Sequence, residues 1–374
     1  MKPENLAKAI ALRHELHAHP ELSMEEVWTR SHLMEFLREN TRNLEIVDCG
    51  RWFYAMYRAE NPKGTIGFRA DFDALPIEES LPDLPYASTN PGVSHKCGHD
   101  GHAASLAGLA LEIDQEGCEK NVVFLFQHAE ETGAGAKETV ETLSKLGIDE
   151  FYAYHNHTGP QPKHSILFRK GIAQCASTGM TIAMTGTVAH ASMPENGVSP
   201  AIPLAKLACA LPELAAPELY KSMVLCTIVQ IAVGEKAFGV APGYGELSIT
   251  VRAEYEDELQ DLLKKITDLA HQLAEEQGLG VEITYDDYFP ETRNADWCVD
   301  KVRKAAEELG LTICELEEPR RGSEDFGHII KAIPGCIFRV GDGPELPPTH
   351  TYLFDFPDEI IETAVEMFKK LTTL

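Results

Sequence analysis

Val122-Val123-Phe124-Leu125-Phe126-Gln127-His128-Ala129-Glu130-Glu131 runs a short apolar stretch straight into two adjacent carboxylates. An uninterrupted apolar run of this length, bounded by polar residues, suits a strand covered on both faces, the kind found in parallel sheets. Glu130 and Glu131 leave the carboxyl end of that strand with side chains free to point in different directions, so one can bind while the other reacts. Taken alone, the pair reads better as the acidic first turn of a helix, where carboxylates favour the exposed N–H groups.

Working outward, Thr65–Arg69, Phe151–Tyr154 and Cys336–Val340 repeat the pattern, each separated from the next by helical stretches. Strands alternating with helices predict an α/β sheet. The runs end in Asp71 and Asp73, in Gln127 to Glu131, in His155 and, farther on, in His350. Titratable groups therefore collect at one sheet edge, and open α/β sheets place their sites at the carboxyl ends of their strands.

Between these runs the chain changes character. Met180 to Thr187 alternates as a half-exposed strand, Ala201 to Leu214 looks helical, and Met223 to Val233 and Gly245 to Tyr255 read as strands. Leu259, Leu262, Leu263, Ile266, Leu269 and Leu273 then mark a long helix stripe, and Val281 to Tyr288 alternates again. The order βαββαβ is ferredoxin-like, a complete two-layer unit inserted into the α/β sheet. The predicted division is a catalytic domain of residues 1–174 plus 291–374 and an insertion of residues 175–290. At the start of the chain, Leu6 to Leu37 reads as two amphipathic helices broken at Pro20.

Size and charge agree with this division. The 374 residues exceed what one core usually serves, and 44% hydrophobic with 25% charged residues is ordinary for a folded soluble chain. No apolar run approaches the roughly 20 residues of a membrane span. Met1 to Leu16 mixes Lys2, Glu4, Lys8, Arg13 and Glu15 into its apolar positions and so lacks a secretory signal. A cytoplasmic protein is expected, with no membrane partner. The net charge of −26 repels phosphate backbones, which excludes nucleic acid as a partner. Nine scattered cysteines, an odd number, argue against a disulfide framework and read mostly as small core residues.

Ser94-His95-Lys96-Cys97-Gly98-His99-Asp100-Gly101-His102 gathers a thiol, three imidazoles and a carboxylate ahead of a helix predicted from about Ala103. Thiolate and imidazole suit zinc and its transition-series neighbours, and Gly98 lets the backbone fold so that Cys97 and His99 face one ion. A polar loop is the competing reading of this segment alone, just as His155 and His350 singly would pass as core histidines. Four separate runs that end in Cys, His or Glu at one edge favour metal ligation over chance packing.

Seven motifs follow in order: Leu16-His17-Ala18-His19-Pro20-Glu21-Leu22, Arg69-Ala70-Asp71-Phe72-Asp73-Ala74-Leu75-Pro76, Cys97-Gly98-His99-Asp100-Gly101-His102, Ala129-Glu130-Glu131, His190-Ala191-Ser192, Gly322-Ser323-Glu324-Asp325-Phe326, and Thr349-His350. In them, and over nearly its whole length, the chain resembles the zinc aminoacylase and carboxypeptidase family, in the amidohydrolase branch of hippurate hydrolase, auxin-conjugate hydrolases and N-acyl-amino-acid amidohydrolases. The resemblance implies a mixed-sheet, zinc-peptidase-like α/β catalytic domain whose ferredoxin-like insertion serves as lid and dimerisation domain. It further implies that Cys97, His99, Glu131, His155 and His350 hold two divalent ions per subunit, with Glu130 free as general acid and base. The family places a ligand at the last residue of its strand, which selects His155 and leaves His157 as the fallback. His128 stands where the family usually has proline, and Ser199 where an aspartate is common; neither position is a ligand.

By the same resemblance, His190 stabilises the oxyanion across a homodimer interface, and Arg252 grips the substrate's carboxylate through the bidentate pairing natural to guanidinium. A capping histidine and a surface salt bridge are the respective alternatives. Asp71 and Asp73 orient ligand histidines, and Ser323 to Asp325 brace the site. Two ions about 3.5 to 4 Å apart activate a water and polarise a carbonyl, so the expected reaction is hydrolysis of the amide bond of an N-acyl amino acid or related small conjugate. Zinc fits the thiolate and imidazoles, manganese or cobalt the carboxylates. A dipeptidase or carboxypeptidase would use the same centre. A non-catalytic binding protein is disfavoured because Glu130 and every ligand are present, and a serine hydrolase because no Gly-x-Ser-x-Gly elbow occurs.

Overall fold

All of the strand Thr65–Asp71 is buried, as is almost all of its neighbour Asn121–Gln127. Burial on both faces requires helices on both faces. The computed structural model, which describes residues 1–81 and 83–374, supplies them. Ile66, Phe68, Phe124 and Phe126 point to one side and pack with apolar residues of the helices Pro3–Ala18, His99–Glu116, Asp296–Glu308 and Ile360–Leu371. Val123 and Leu125 alternate to the other side and meet Ala136, Leu143, Ile329 and Ile330 of Gly135–Leu143 and Gly327–Ala332.

The sheet runs Leu44–Asp48, Phe53–Tyr57, Asn121–Gln127, Thr65–Asp71, Glu150–Thr158, Gly335–Gly343, Ile166–Phe168 and Ile313–Glu315. The four strands read from apolar runs are its central four and are mutually parallel. Leu44–Asp48 and Phe53–Tyr57 join antiparallel, and Ile166–Phe168 runs antiparallel to Gly335–Gly343, so the sheet is mixed.

Three local expectations are corrected. The helix placed from Ala103 begins at His99, because Gly98 in the left-handed region (φ 100°) turns the chain and a polar first turn follows, which an apolar stripe cannot reveal. His155 is not a strand terminus; its strand continues to Thr158. Of the cysteines, Cys97, Cys175, Cys298 and Cys336 are buried, Cys209 is exposed and the other four lie between, all as free thiols.

The chain divides into two compact units, Met1–Ala173 with Thr292–Pro319 and Glu324–Leu374, and Gln174–Glu291 with Arg320–Ser323. Taken by itself, the second unit is a four-stranded antiparallel sheet in the order Val224–Val233, Tyr244–Ala253, Ala176–Thr185, Gly280–Phe289. Leu247, Ile249, Val251 and Ala253 alternate inward and pack with Leu204, Leu207 and Leu211 of Ala201–Leu214 and Leu259, Leu262 and Ile266 of Glu256–Glu275. Among the described residues no helix is long and apolar enough to cross a membrane.

Phe124 has no exposed surface and sits at the centre of the larger core. Phe124→Ala is expected to destabilise the first unit by about 3–5 kcal/mol. Denaturant unfolding checks this against Val27→Ala, at a 68% exposed position, where a change within about 0.5 kcal/mol is expected.

Candidate metal centre

Each of the predicted ligands in the first unit reaches the site by a different route. Cys97 precedes the left-handed Gly98, and His99 opens the helix His99–Glu116. Glu131 lies in the tight turn after Asn121–Gln127, and His155 projects from within Glu150–Thr158. His350 comes from the segment between Gly335–Gly343 and Ile360–Leu371, which holds no regular element.

The structure brings these side chains together. The Cys97 Sγ lies 3.4 Å from both His155 Nε2 and His350 Nε2. Glu131 Oε1 is 3.7 Å from His99 Nε2 and 3.6 Å from His350 Nε2, and Glu130 Oε2 is 3.9 Å from His99 Nε2. Cys97 shares one potential ion position with His99 and His155, and another with Glu131 and His350. His155, not His157, faces the thiol; the Nε2 of His157 meets Gln161 Oε1 at 3.1 Å.

The far sides of His99 and His155 are hydrogen-bonded in a way that frees their near sides. His99 Nδ1 donates to the Asp73 carbonyl at 2.9 Å and lies 3.1 Å from its carboxylate, while His155 Nδ1 donates to the Asn156 carbonyl at 2.8 Å. A proton held on Nδ1 leaves the Nε2 lone pair available, the arrangement typical of metal-bound histidine. Among the described residues, His99 Nε2 and Glu131 Oε1 are buried without a hydrogen-bond partner. A buried polar atom left unsatisfied costs about 1–3 kcal/mol, and a divalent ion bound by both would remove the cost. The residues present therefore fit a metal pair.

Electrostatics point the same way. Burial pushes the Cys97 thiol and the Glu130 carboxyl well up and raises Glu131 to about 7, with neighbouring carboxylates adding to each shift. Burial drives the His155 imidazole well down, so it stays neutral and able to ligate. For His99, burial pulls down but Asp71 and Cys97 outweigh it and hold the imidazole up. Since a thiol, carboxyl or imidazolium binds metal only after losing its proton, ion binding here must release protons.

Asp73 links two of the candidate ligands. Besides meeting His99, its carboxylate accepts from the Glu131 N–H at 2.9 Å and the Ser23 hydroxyl at 2.7 Å. Asp71 binds His102 Nδ1 at 2.6 Å and Arg69 at 2.7 Å. Arg69, fully buried, also reaches Gln127, Asp325 and Glu324. Glu130 stands between His99 and the Glu324–Asp325 pair, and its carboxyl accepts no hydrogen bond among the described residues.

Sequence reasoning missed two residues. Glu26 is buried and accepts the Ala129 N–H at 2.7 Å, while Ser23 braces Asp73. Ala129, immediately before Glu130, has φ 48°, a left-handed conformation that costs a non-glycine residue roughly 1–2 kcal/mol. The Glu26 contact and the N–H groups of Ala134 and Gly135 on the Ala129 carbonyl hold it there. No periodicity marks Ser23 or Glu26, although both follow the Pro20 break. His190 and Arg252 belong to the second unit. The Ser192 N–H donates to His190 Nδ1 at 3.1 Å, which leaves the neutral ring's proton on Nε2. Arg252 donates to Ser323 Oγ at 2.7 Å and the Arg321 carbonyl at 3.1 Å, with no carboxylate partner among the described residues.

Residues 67–373 match the model of peptidase family M20/M25/M40. N-acetylcysteine deacetylase of Bacillus subtilis is 29% identical over 98% of this chain and 96% of its own length. N-acetyldiaminopimelate deacetylase of Lactobacillus helveticus is 28% identical over 94% and 93%. Among solved structures, the Bacillus subtilis YXEP protein, a dinuclear metal binding peptidase, superposes with a TM-score of 0.83 at 26% identity, covering 99% of this chain and 98% of that one.

Burial, with Asp73 nearby, pushes the Glu26 carboxyl up to about 8 from an ordinary 4.5. The folded chain therefore holds a proton there that the unfolded chain has lost, so the stability Glu26 contributes is complete below about pH 4.5 and declines as pH rises through about 8. Glu26→Gln keeps the acceptor for Ala129 but removes the titration. Melting temperatures of metal-free wild type and variant, compared from pH 5 to 9, should diverge in the variant's favour as pH rises.

Proposed function

Because most of its length matches that family's model, the chain belongs to peptidase family M20/M25/M40, and we propose that it hydrolyses the amide bond of N-acyl amino acids through two divalent ions. The carrying observation is the pair of unpartnered ligand atoms, His99 Nε2 and Glu131 Oε1, gathered with Cys97, His155 and His350 beside an uncommitted Glu130. The two relatives named above are deacetylases of N-acetyl amino acids, which supports that substrate class over peptides.

Ions held by Cys97, His99, Glu131, His155 and His350 would supply a nucleophilic water at neutral pH and polarise the scissile carbonyl. Zinc is the proposed metal, because a thiolate and three imidazoles dominate the set, with manganese or cobalt as substitutes. Glu130 takes the water's proton and passes it to the departing amine, which leaves poorly until protonated. Burial and the carboxylates of Glu324 and Glu131 hold Glu130 ready to keep a proton between those two acts. His190, with its proton on Nε2, is suited to donate to the oxyanion. Arg252, half-buried and without an acidic partner among the described residues, is suited to the substrate's free carboxylate.

We place the protein in the cytoplasm as a homodimer joined through the second unit. That unit's edge strand Val224–Val233 exposes Ile228, Val229 and Ile231, and such an edge is open to pairing with a second copy. Introducing a charge by Val229→Asp should shift the sedimentation coefficient to that of a monomer, whereas an unchanged dimer would place the interface elsewhere.

N-acetyl, benzoyl and aminobenzoyl amino acids, with dipeptides alongside, provide the activity test. Turnover of the acylated compounds, abolished by a chelator and restored by metal, is expected. Glu130→Gln should lower kcat by at least about 10²-fold with KM little changed. Arg252→Ala should instead raise KM about 10 to 100-fold, the loss of one charged hydrogen bond. Cleavage confined to dipeptides would make the protein a peptidase.

A further inference from the structure

His350 differs from the other proposed ligands in how it is held. Cys97, His99, Glu131 and His155 lie in or beside regular elements, while His350 lies in the segment 344–359, has a left-handed backbone (φ 62°) and a side chain that is 51% exposed. Contacts within that segment, from Thr351 Oγ1 to the Pro348 carbonyl and from the Phe354 N–H to the Thr351 carbonyl, do not fix it to the rest of the site.

Lys96, immediately before Cys97, makes that connection twice. Its carbonyl accepts the His350 N–H at 2.7 Å, and its ammonium donates to the Phe354 carbonyl at 2.7 Å. The two bonds bracket the turn that carries His350. The Lys96 side chain is fully buried, and its charge is balanced by Glu79, which also accepts from His17 Nε2 at 2.8 Å. Arg13 and Tyr86 grip the adjacent Asp355, and Arg13 also binds Asp100, beside His99. The segment bearing the last ligand is thus bonded to a buried cation network whose nearest member adjoins the thiol ligand. Any slip of 350–354 relative to Lys96 changes the Sγ to His350 Nε2 separation directly.

We propose that Lys96 is a positioning residue that sets the distance between Cys97 and His350, and so the affinity of the ion position that His350 completes. The proposal rests on the metal-pair reading above. Loss of an interaction that orients a ligand typically costs metal affinity about 10 to 100-fold.

Metal-stripped wild type, His350→Ala, Lys96→Met and the double variant Lys96→Met with Glu79→Gln are titrated with Zn²⁺ by calorimetry. The double variant avoids leaving a buried carboxylate without its cation. Far-ultraviolet circular dichroism and melting curves follow folding. Wild type is expected to bind two equivalents, and His350→Ala to weaken one event. Both Lys96 variants should weaken that same event about 10 to 100-fold, leaving the other at wild-type affinity and the dichroism spectrum unchanged. Two events at wild-type affinity in the Lys96 variants, or equal weakening of both events with a lowered melting point, would overturn the assignment and leave Lys96 a packing residue. Fewer than two equivalents in wild type would overturn the metal-pair reading, and the role of Lys96 with it.

Discussion

The desolvation of a set of electron-pair donors facing one another governs this structure. His99 Nε2, His155 Nε2, the Cys97 sulfur and the Glu130 and Glu131 carboxyls converge within a few ångströms in a largely buried space. Behind them, His99 and the Glu131 backbone N–H bond to Asp73 and His155 bonds to a backbone carbonyl, while the facing sides meet only one another, as Cys97 Sγ meets His155 Nε2 and His350 Nε2. Donors of lone pairs without a matching source of positive charge are unfavourable in such a setting. Protons can relieve it, which is why thiol and carboxyls shift upward, but two divalent cations relieve it more completely while making the same groups useful.

The fold supplies this convergence through the carboxyl ends of central parallel strands. Thr65–Asp71 ends in Asp71 and leads to Asp73, Asn121–Gln127 leads to Glu130 and Glu131, and Glu150–Thr158 carries His155. Such strands sit at fixed spacing, so their ends cannot drift apart without breaking the core of Phe68, Phe124, Tyr152 and Phe338. Left-handed backbone marks the joints. Gly98 permits the turn between Cys97 and His99, Ala129 aims Glu130, and His350 completes the set from an irregular segment. Asp73 couples two of these joints, because one carboxylate contacts His99, next to Gly98, and the Glu131 N–H, close to Ala129, while Ser23 braces it from outside.

The parts of this arrangement legible in the sequence are those with a period or a dense motif. Val122–Phe126 announced a two-faced strand because its alternate residues, Phe124 against Leu125, feed different cores. The Cys97 to His102 cluster suggested metal chemistry only together with Glu130, Glu131, His155 and His350, since a polar loop accounts for that segment alone equally well. The start of the helix at His99 was hidden, since a glycine turn and polar first residues carry no apolar stripe. His155 looked like a strand end because polarity, not backbone geometry, ended the apolar run. Ser23, Glu26 and Lys96 were opaque for a deeper reason: each acts through a backbone group or a carboxylate distant in sequence, and no spacing rule links Glu26 to Ala129 or Lys96 to Phe354. The return of Arg320–Ser323 to the second unit likewise has no sequence signature.

These features combine into a simple account of reactivity. The proposed ligands come from separate elements and face one another in a largely buried space, and the adjacent Glu130, whose carboxyl accepts no hydrogen bond among the described residues, is in the proposed reaction the group that moves a proton. Crystals of the protein grown with Zn²⁺ and measured above and below the zinc absorption edge test this most directly. Two anomalous peaks are expected, both within bonding distance of Cys97 and each also touching at least one of His99, Glu131, His155 and His350, with Glu130 touching neither. Peaks absent from this cluster, or a Glu130 carboxylate that itself ligates an ion, would contradict it.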